Sequence, residues 1–319
     1  MGLYDGFRVT LFGVDGTRWD VHGPDAGRQK VTIGQGQLSG ILDAPLESAW
    51  SQTARGGGAR HVRDRYLPRD LTIGFHVDGS GDPVPGLTAT AFSRALTSPP
   101  YRYSPSKRHA RVELETELSG VRTLRQVRGT EVPEISTDRD VLADEYENSI
   151  YSLRTVGSPW WYAGTLNPHF ETDEAGESFV DGTITVENPG DVPAAYSLIL
   201  TPGEWLIPDP SWTGEVGEVA PGGALAGRSV LINVPESSGG AVLSRDPRRL
   251  PVAAADGSNL MSPQRGRFLL HDLPPWTPPT ELEIKVRNAP DGSARAEYRI
   301  EENYTRAWGM EAPVTNPDP

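Results

Sequence analysis

Turn-forming residues divide this chain into many short segments. The 319 residues include 35 glycines and 29 prolines, and the hydrophobic fraction is 36%. Glycine and proline interrupt long helices and occupy the turns between short strands, and no Gly-X-Y repeat makes the chain collagen-like. The sequence therefore predicts a mainly β protein whose length suffices for two domains, each with its own core.

Several classes of protein are excluded by what the sequence lacks. Without cysteine there can be no disulfide, thiolate zinc site, iron–sulfur cluster or cysteine nucleophile. The start of the sequence has neither the basic nor the apolar region of a signal peptide, and no apolar run approaches the ~20 residues that cross a bilayer. We therefore expect a protein made in a cytoplasm, not secreted and without a membrane segment.

Charge is divided unevenly between the two halves. Residues 1–160 hold 19 Lys and Arg against 20 Asp and Glu, whereas residues 161–319 hold 11 against 23. An acidic surface stays in solvent and repels nucleic acid, whereas a nearly neutral half could pack against copies of itself.

The stretch Gly157–Tyr162 marks the joint between these halves. Pro159 favours an extended residue before it, and Trp160, Trp161 and Tyr162 follow it. Three consecutive aromatic side chains, each able to bury ~150–250 Å², are too apolar for a free linker. We expect a packed joint between domains 1–157 and 158–319.

Alternating apolar residues predict strands in both domains. In the first, hairpins should turn at Asp15-Gly16 and Ser119-Gly120, and one short helix should span residues 87–96. In the second, short strands between turns indicate an antiparallel sandwich, and the last residues, 307–319, should fray. The expected strands there are 179–187, 195–201, 229–234, 267–270, 281–286 and 295–301.

Positive charge is concentrated in residues 55–69, where a triple glycine predicts a flexible loop. Such a loop could be solvated, contact acidic side chains of a neighbouring copy, or contact passing nucleic acid. Its arginines are Arg55, Arg60, Arg63, Arg65 and Arg69.

Negative charge is concentrated soon afterwards, before an expected strand at residues 150–156. A calcium site is one interpretation, although the glycine turn and terminal glutamate of a calcium loop are absent. Pairing with the arginine-rich stretch across a subunit boundary is the favoured interpretation, and it rests on opposite sign alone. The acidic residues are Asp138, Asp140, Asp144, Glu145 and Glu147.

No catalytic, cofactor or metal motif is found. The sequence has no Gly-x-Ser-x-Gly and no phosphate loop, and the glycines after Val31 are misplaced for a dinucleotide fingerprint. His169 and Glu171 would share a face of a strand, but no third ligand accompanies them. Trp205, Trp212 and Trp276 could form a sugar-stacking platform or simply fill a sandwich core. Paired carboxylates of a glycoside hydrolase are also compatible with so acidic a sandwich.

Short stretches in a particular order resemble the distal tail protein family of long-tailed phages, often called minor tail proteins in phages of actinobacteria. None is a catalytic motif, and their order across nearly the whole chain carries the resemblance. The stretches are Trp19–Pro24, Arg69–Ile73, Ala110–Thr116, Ser158–Tyr162, and Asp256–Leu260 with Leu273–Pro275.

This resemblance implies an N-terminal domain that forms a ring, commonly a hexamer, and a C-terminal galectin-like or jelly-roll sandwich that projects outward. The ring would join the tail tube to tail-tip or baseplate and tape measure proteins, around a channel that genome DNA crosses without specific binding. The chain would then be a non-enzymatic virion protein at the tail tip, of a phage with an actinobacterial host. The alternative is a carbohydrate-binding sandwich that adheres to a host cell-wall glycan.

Overall fold

A computed structural model describes residues 6–52, 57–96, 109–135, 145–215 and 218–311. These residues are mostly β-strand, with one ten-residue helix and one of four residues. The prediction of a mainly β chain is confirmed. Within the described ranges, no helix is both long enough and apolar enough to span a bilayer.

The described residues divide into two compact units. The first runs up to Tyr162 and also includes Thr305–Gly309; the second runs from Ala163 to Tyr304 and continues at Met310. Each unit is organised around its own sheets.

One large antiparallel sheet dominates the first unit, in the order β2-β1-β7-β8-β10-β6-β3. β9 pairs with the middle of β10, Tyr162 of β11 pairs with Thr123 of β8, and β4 and β5 pair only with each other. The elements are β1 (Phe7–Phe12), β2 (Arg18–His22), β3 (Val31–Ser39), β4 (Leu46–Ser51), β5 (Arg60–Tyr66), β6 (Asp70–Asp78), α1 (Leu87–Leu96), β7 (Ala110–Thr116), β8 (Gly120–Gly129), β9 (Glu134–Ile135), β10 (Tyr146–Thr155) and β11 (Trp161–Leu166).

The elements predicted from periodicity in the first unit are confirmed. β1 and β2 form the hairpin around Asp15-Gly16, β7 and β8 form the hairpin at Ser119-Gly120, and α1 has the expected bounds. α1 packs on the sheet through Phe92, whose ring lies edge-on to Phe75 and Trp19 at centroid distances of 4.8 and 5.1 Å. Edge-to-face aromatic packing stabilises a core beyond its area alone.

Two sheets form the second unit. One has the order β13-β19-β15-β16, and the other has β20 between β12 and β14, followed by β17 and β18. Their inner faces share one apolar core that includes Trp205, Leu198 and Ile284. This arrangement is a β-sandwich. The elements are β12 (His169–Thr172), β13 (Val180–Asn188), β14 (Ser197–Leu200), β15 (Gly203–Pro208), β16 (Ser229–Val234), β17 (Ala241–Ser244), β18 (Val252–Ala254), α2 (Met261–Gln264), β19 (Thr277–Arg287) and β20 (Ala294–Tyr304).

The sequence prediction is incomplete in this unit. The strand expected at residues 267–270 is wrong, because that stretch is irregular and the backbone N–H groups of its last residue, Leu270, and of the next residue, His271, bond to the carboxylate of Asp209. β12, β15, β17 and β18 were not expected, and each has three to six residues, which is too short for a clear period.

Residues 305–309 are ordered parts of the first unit. The prediction that the chain frays from residue 307 is therefore wrong for residues 307–309. Ala307 is completely buried, and its backbone N–H donates to the carbonyl of Leu42 at 2.9 Å. Residues 312–319 lie outside the described part of the chain.

Candidate assembly surfaces

β4 and β5 form a two-stranded antiparallel hairpin that we call the basic hairpin. It pairs with no other described strand, and only Ala49 among its strand residues is even half-buried. The predicted loop is wrong for residues 60–66, which form β5 because they pair across to β4. Charged side chains are accommodated in this strand because both faces of the hairpin are open to solvent.

The arginines of the basic hairpin are unpaired within the described residues. Arg60, Arg63 and Arg65 are exposed, and no described acidic side chain forms an ion pair with any of them. Arg65 lies across from Glu47, and Arg63 across from Ala49, so both guanidinium groups lie on one face. Arg55 lies outside the described residues.

The opposite face of the basic hairpin is aromatic. Trp50 is 61% exposed and lies edge-on to His61 at a centroid distance of 5.2 Å. The Ser48 hydroxyl donates to Asp64 Oδ1 at 2.6 Å, and His61 Nε2 lies 2.8 Å from the same oxygen. The hydrogen bond from Ser48 lowers the pKa of the Asp64 carboxyl most, and that with His61 lowers it further. Asp64 is thus occupied locally, whereas Arg60, Arg63 and Arg65 have no ion-pair partner among the described residues.

A second surface of the first unit carries the opposite charge. We call residues 131–135 and 145–147 the acidic edge; they comprise β9, the residues before it and the start of β10. Glu131 and Glu134 are exposed and Glu145 is half-buried, and none has an ion-pair partner among the described residues. Glu147 accepts a hydrogen bond from the Ser149 hydroxyl at 2.6 Å. Asp138, Asp140 and Asp144 lie outside the described residues.

The acidic edge also exposes apolar side chains. Val132 is 89% exposed, Tyr146 46% and Ile135 44%. Edge positions of a sheet are open to pairing and contact with another chain. Both candidate surfaces therefore combine unpaired charge of one sign with exposed apolar groups.

Arg69 does not belong to the basic surface, which corrects the sequence-based grouping. Its side chain is completely buried, and its guanidinium donates to five backbone carbonyls at 2.9–3.1 Å. Burial lowers the pKa of Arg69 to about 10, although the nearby Asp43 opposes this shift. Arg69 therefore stays charged at neutral pH and holds together distant parts of the first unit. The carbonyls belong to Gly40, Ile41, Asp43, Pro159 and Thr305.

The aromatic joint residues pack inside the first unit. Trp161 is fully buried and its indole N–H donates to the carbonyl of Ile41 at 3.1 Å. Trp160 lies edge-on to Tyr66, at the end of the basic hairpin, with centroids 4.5 Å apart. Pro159 accepts from Arg69, and the Tyr162 ring lies under the guanidinium of Arg125 at 4.1 Å. These residues anchor the base of the hairpin and the end of the first unit.

The three tryptophans do not form a common platform. Trp205 is fully buried in the sandwich core and its indole N–H donates to the Thr201 carbonyl at 2.9 Å, so it cannot stack on a sugar. Trp212 packs against the same core, and Trp276 donates to the carbonyl of Met310 at 3.0 Å. For Trp205 the core interpretation is correct.

The described residues contain no group of three or more His, Asp or Glu side chains that could hold a metal ion. His169 and Glu171 lie on β12 and are exposed, and Glu171 forms an ion pair with Arg295 at 2.8 Å. This arrangement is a surface ion pair.

Trp50, Val132 and Ile135 are residues of these surfaces that the sequence did not single out. Each is separated from other large apolar residues by small, polar or charged neighbours. A lone apolar residue carries no periodic signal, so only its exposure in the fold reveals it.

No protein-family model matches the chain, and no curated protein matches it in sequence.

Solved structures do resemble it. The crystal structure of Dit (gp 19.1) of phage SPP1, described as a paradigm of the hub adsorption apparatus in phages that infect Gram-positive bacteria, matches with a TM-score of 0.52 at 13% identity. The match covers 92% of this chain and 98% of the SPP1 chain. Two structures of the phage p2 baseplate in its activated conformation, with Sr and with Ca, match at TM-scores of 0.49 and 0.48, each with 10% identity over 93% of this chain and 98% of theirs. This chain therefore has the fold of SPP1 Dit over nearly its whole length.

Proposed function

We propose that this chain is a structural, non-catalytic protein of a phage tail tip, a distal tail protein whose first unit assembles into a ring. The observation that carries the proposal is the likeness to SPP1 Dit, which spans both units and nearly all of that chain. A likeness that covers 92% of this chain extends beyond the sandwich of the second unit. Fold does not by itself determine function, so the proposal also rests on features of this chain.

Those features are the two oppositely charged surfaces of the first unit. Arg60, Arg63 and Arg65 are exposed on one, and Glu145 and Glu147 lie on the other. A surface that attracts a different surface of an identical chain gives a head-to-tail contact, which generates a ring when the rotation closes. In our proposal residues 1–157 form the ring, a hexamer, and residues 158–319 form the outward sandwich.

The ring would join the tail tube to tape measure and baseplate proteins, around a channel that genome DNA crosses without specific binding. The second half carries an excess of 12 acidic over basic residues, which suits a solvated outer sandwich. The actinobacterial host stays a prediction from the sequence resemblance. Trp205 cannot contribute to carbohydrate binding, because it is buried in the core.

Locating the protein in virions tests this function. Antibodies against the purified chain, coupled to gold, should label the tail tip, and deletion of its gene should yield capsids without complete tails. Labelling along the tube or on the capsid, or normal tails without the gene, would contradict the proposal.

A further inference from the structure

We infer that the second unit binds a neutral sugar in a groove on the outer face of one of its sheets. This sheet groove runs across β12, β20, β14 and β17, which are neighbours in the sheet. It consists of two cavities of about 330 and 160 Å³. Thr201 and Arg295 line both cavities, so the two adjoin there. The site belongs to the second unit alone and does not depend on the ring.

One side of the sheet groove is a row of charged side chains that hold one another in place. Arg295 of β20 donates to Glu171 Oε2 on the paired strand β12 at 2.8 Å and to Glu297 Oε2 at 3.1 Å. The Ser293 hydroxyl donates to Asp173 Oδ1 at 2.8 Å. A guanidinium can donate five hydrogen bonds and a carboxylate can accept several, so these partly exposed groups still offer donors and acceptors to a ligand. Because they are already ordered, binding need not order them.

The other side of the sheet groove is apolar. Ile199 of β14 lies across from Val242 of β17 on one side and from Glu297 of β20 on the other, so the three side chains share the outer face. Ile199 and Val242 are half-buried there, although this face points away from the sandwich core. Gly239 and Gly240 line the same side with backbone alone. This side therefore offers aliphatic contact next to the charged row.

The charges of the row favour a neutral ligand. Arg295 is paired with Glu171 and Glu297, and Arg299 donates to Glu297 Oε1 at 3.2 Å. An anion or a cation would therefore find most of its counter-charge already paired. A metal ion is disfavoured as well, because the described residues contain no group of three or more ligating side chains. A wholly apolar ligand would cover the charged row without forming hydrogen bonds, which costs free energy.

A sugar ring matches both sides of the sheet groove. Its hydroxyl groups donate and accept hydrogen bonds around the ring edge, its C–H bonds form apolar faces, and it carries no charge. Sites for small ligands occupy roughly 300–1,000 Å³ and combine apolar lining with a few placed polar groups. The sheet groove lies near the lower end of that range, which suits about one or two sugar rings. Trp205, Trp212 and Trp276 do not line it, so this site is separate from the predicted tryptophan platform.

Glycan binding by the full chain tests the inference. An array of immobilised neutral and acidic glycans is screened with the purified protein, and a neutral glycan that binds is then titrated by calorimetry. Arg295→Met and Glu171→Gln should each weaken binding of that glycan by about tenfold or more, because each removes a charged hydrogen-bonding group from the site. Thermal unfolding of each variant shows that it is folded.

Arg299→Met is the matched control. Arg299 lies two positions from Arg295–Glu297 spacing along β20, on the same face as Arg295, and it also bonds to Glu297. It lines neither cavity. Arg299→Met should therefore bind the glycan with nearly the affinity of wild type.

Each contrary result overturns a defined part of the inference. If no neutral glycan binds, or if only acidic glycans bind, the assigned class of ligand is wrong. If a neutral glycan binds Arg295→Met, Glu171→Gln and Arg299→Met equally well, it binds elsewhere and the assigned site is wrong. None of these results bears on the ring, and a chain that forms no ring would leave the sugar site standing, because the sheet groove lies within the second unit.

Discussion

At the scale of single residues, buried arginines join separate stretches of the first unit through hydrogen bonds. Arg69 binds five carbonyls from three separate stretches of chain, and Arg122 donates to the carbonyls of Arg306 and Gly309 at 2.8 Å. A guanidinium can satisfy several carbonyls at once because its five N–H groups are fixed in a plane. Gly40 fits beside Arg69 at φ 75° because a Cβ there would collide with the carbonyl of Asp70.

Replacing Arg69 by Met should destabilise the fold strongly. Its five carbonyl acceptors would lose a charged donor while buried, which should lower the free energy of unfolding by about 3 kcal/mol or more. Arg154→Met is the control, because the ion pair of Arg154 with Asp70 is open to solvent on both sides and its loss should change the stability far less. Urea denaturation of both variants measures the difference, and similar losses would refute the role of Arg69.

Asp20 should make stability depend on pH. Burial tends to raise the pKa of Asp20, but hydrogen bonds from Arg18, Gln29 and Thr10 outweigh it and lower that pKa. A lowered folded pKa gives stability that is present above the unfolded value, about 4, and is lost as pH falls below it. Asp20→Asn should therefore be less stable than wild type at pH 7. The difference in free energy of unfolding between the two proteins should become smaller toward pH 3. Urea midpoints that differ equally at both pH values would contradict this.

At the scale of elements, α1 buries Phe92, Ala95 and Leu96 in the first unit, and Phe92 is the largest of the three. Phe92 is fully buried and also lies 5.6 Å from the ring of Tyr151. Phe92→Ala should cost about 3–5 kcal/mol because it leaves a cavity. Leu87→Ala, at a 49% exposed position of the same helix, should cost well under 1 kcal/mol. Thermal unfolding measures the loss of stability in each variant, and similar losses would show that Phe92 does not anchor α1 to the sheet.

Elements with a periodic apolar face could be predicted from the sequence, and those without one could not. Hairpins β1–β2 and β7–β8 and helix α1 were predictable because one face of each is apolar at a fixed period. β5 was not, because Arg60–Tyr66 is exposed on both faces and has no apolar stripe. The burial of Arg69 could not be predicted, since its partners extend from Gly40 to Thr305 and meet only in the folded unit.

At the scale of the whole molecule, the end of the described chain completes the first unit. Thr305 and Ala307 bond to the stretch at residues 42–44, and the ring of Trp308 stacks on Phe7 with centroids 6.0 Å apart. The first unit is therefore built from residues at both ends of the described chain.

A chain ending at Tyr304 should be markedly less stable than one ending at Gly309. The two chains differ only in residues 305–309, which supply carbonyls to Arg69 and Arg122 and the aromatic contact of Trp308. Removing several buried hydrogen bonds should cost about 1–3 kcal/mol for each unsatisfied group. Thermal unfolding of the two truncated chains measures it, and equal midpoints would show that residues 305–309 add nothing to the fold.

We propose that this chain assembles into the ring of a tail hub. Its most direct test is the solution mass of the purified full chain by light scattering, with negative-stain images of the same peak. We predict a mass several times that of one chain and images of closed rings with a central channel. The rings should dissociate more readily as salt screens the charged contacts. A monomer at all concentrations and salt conditions would contradict the account.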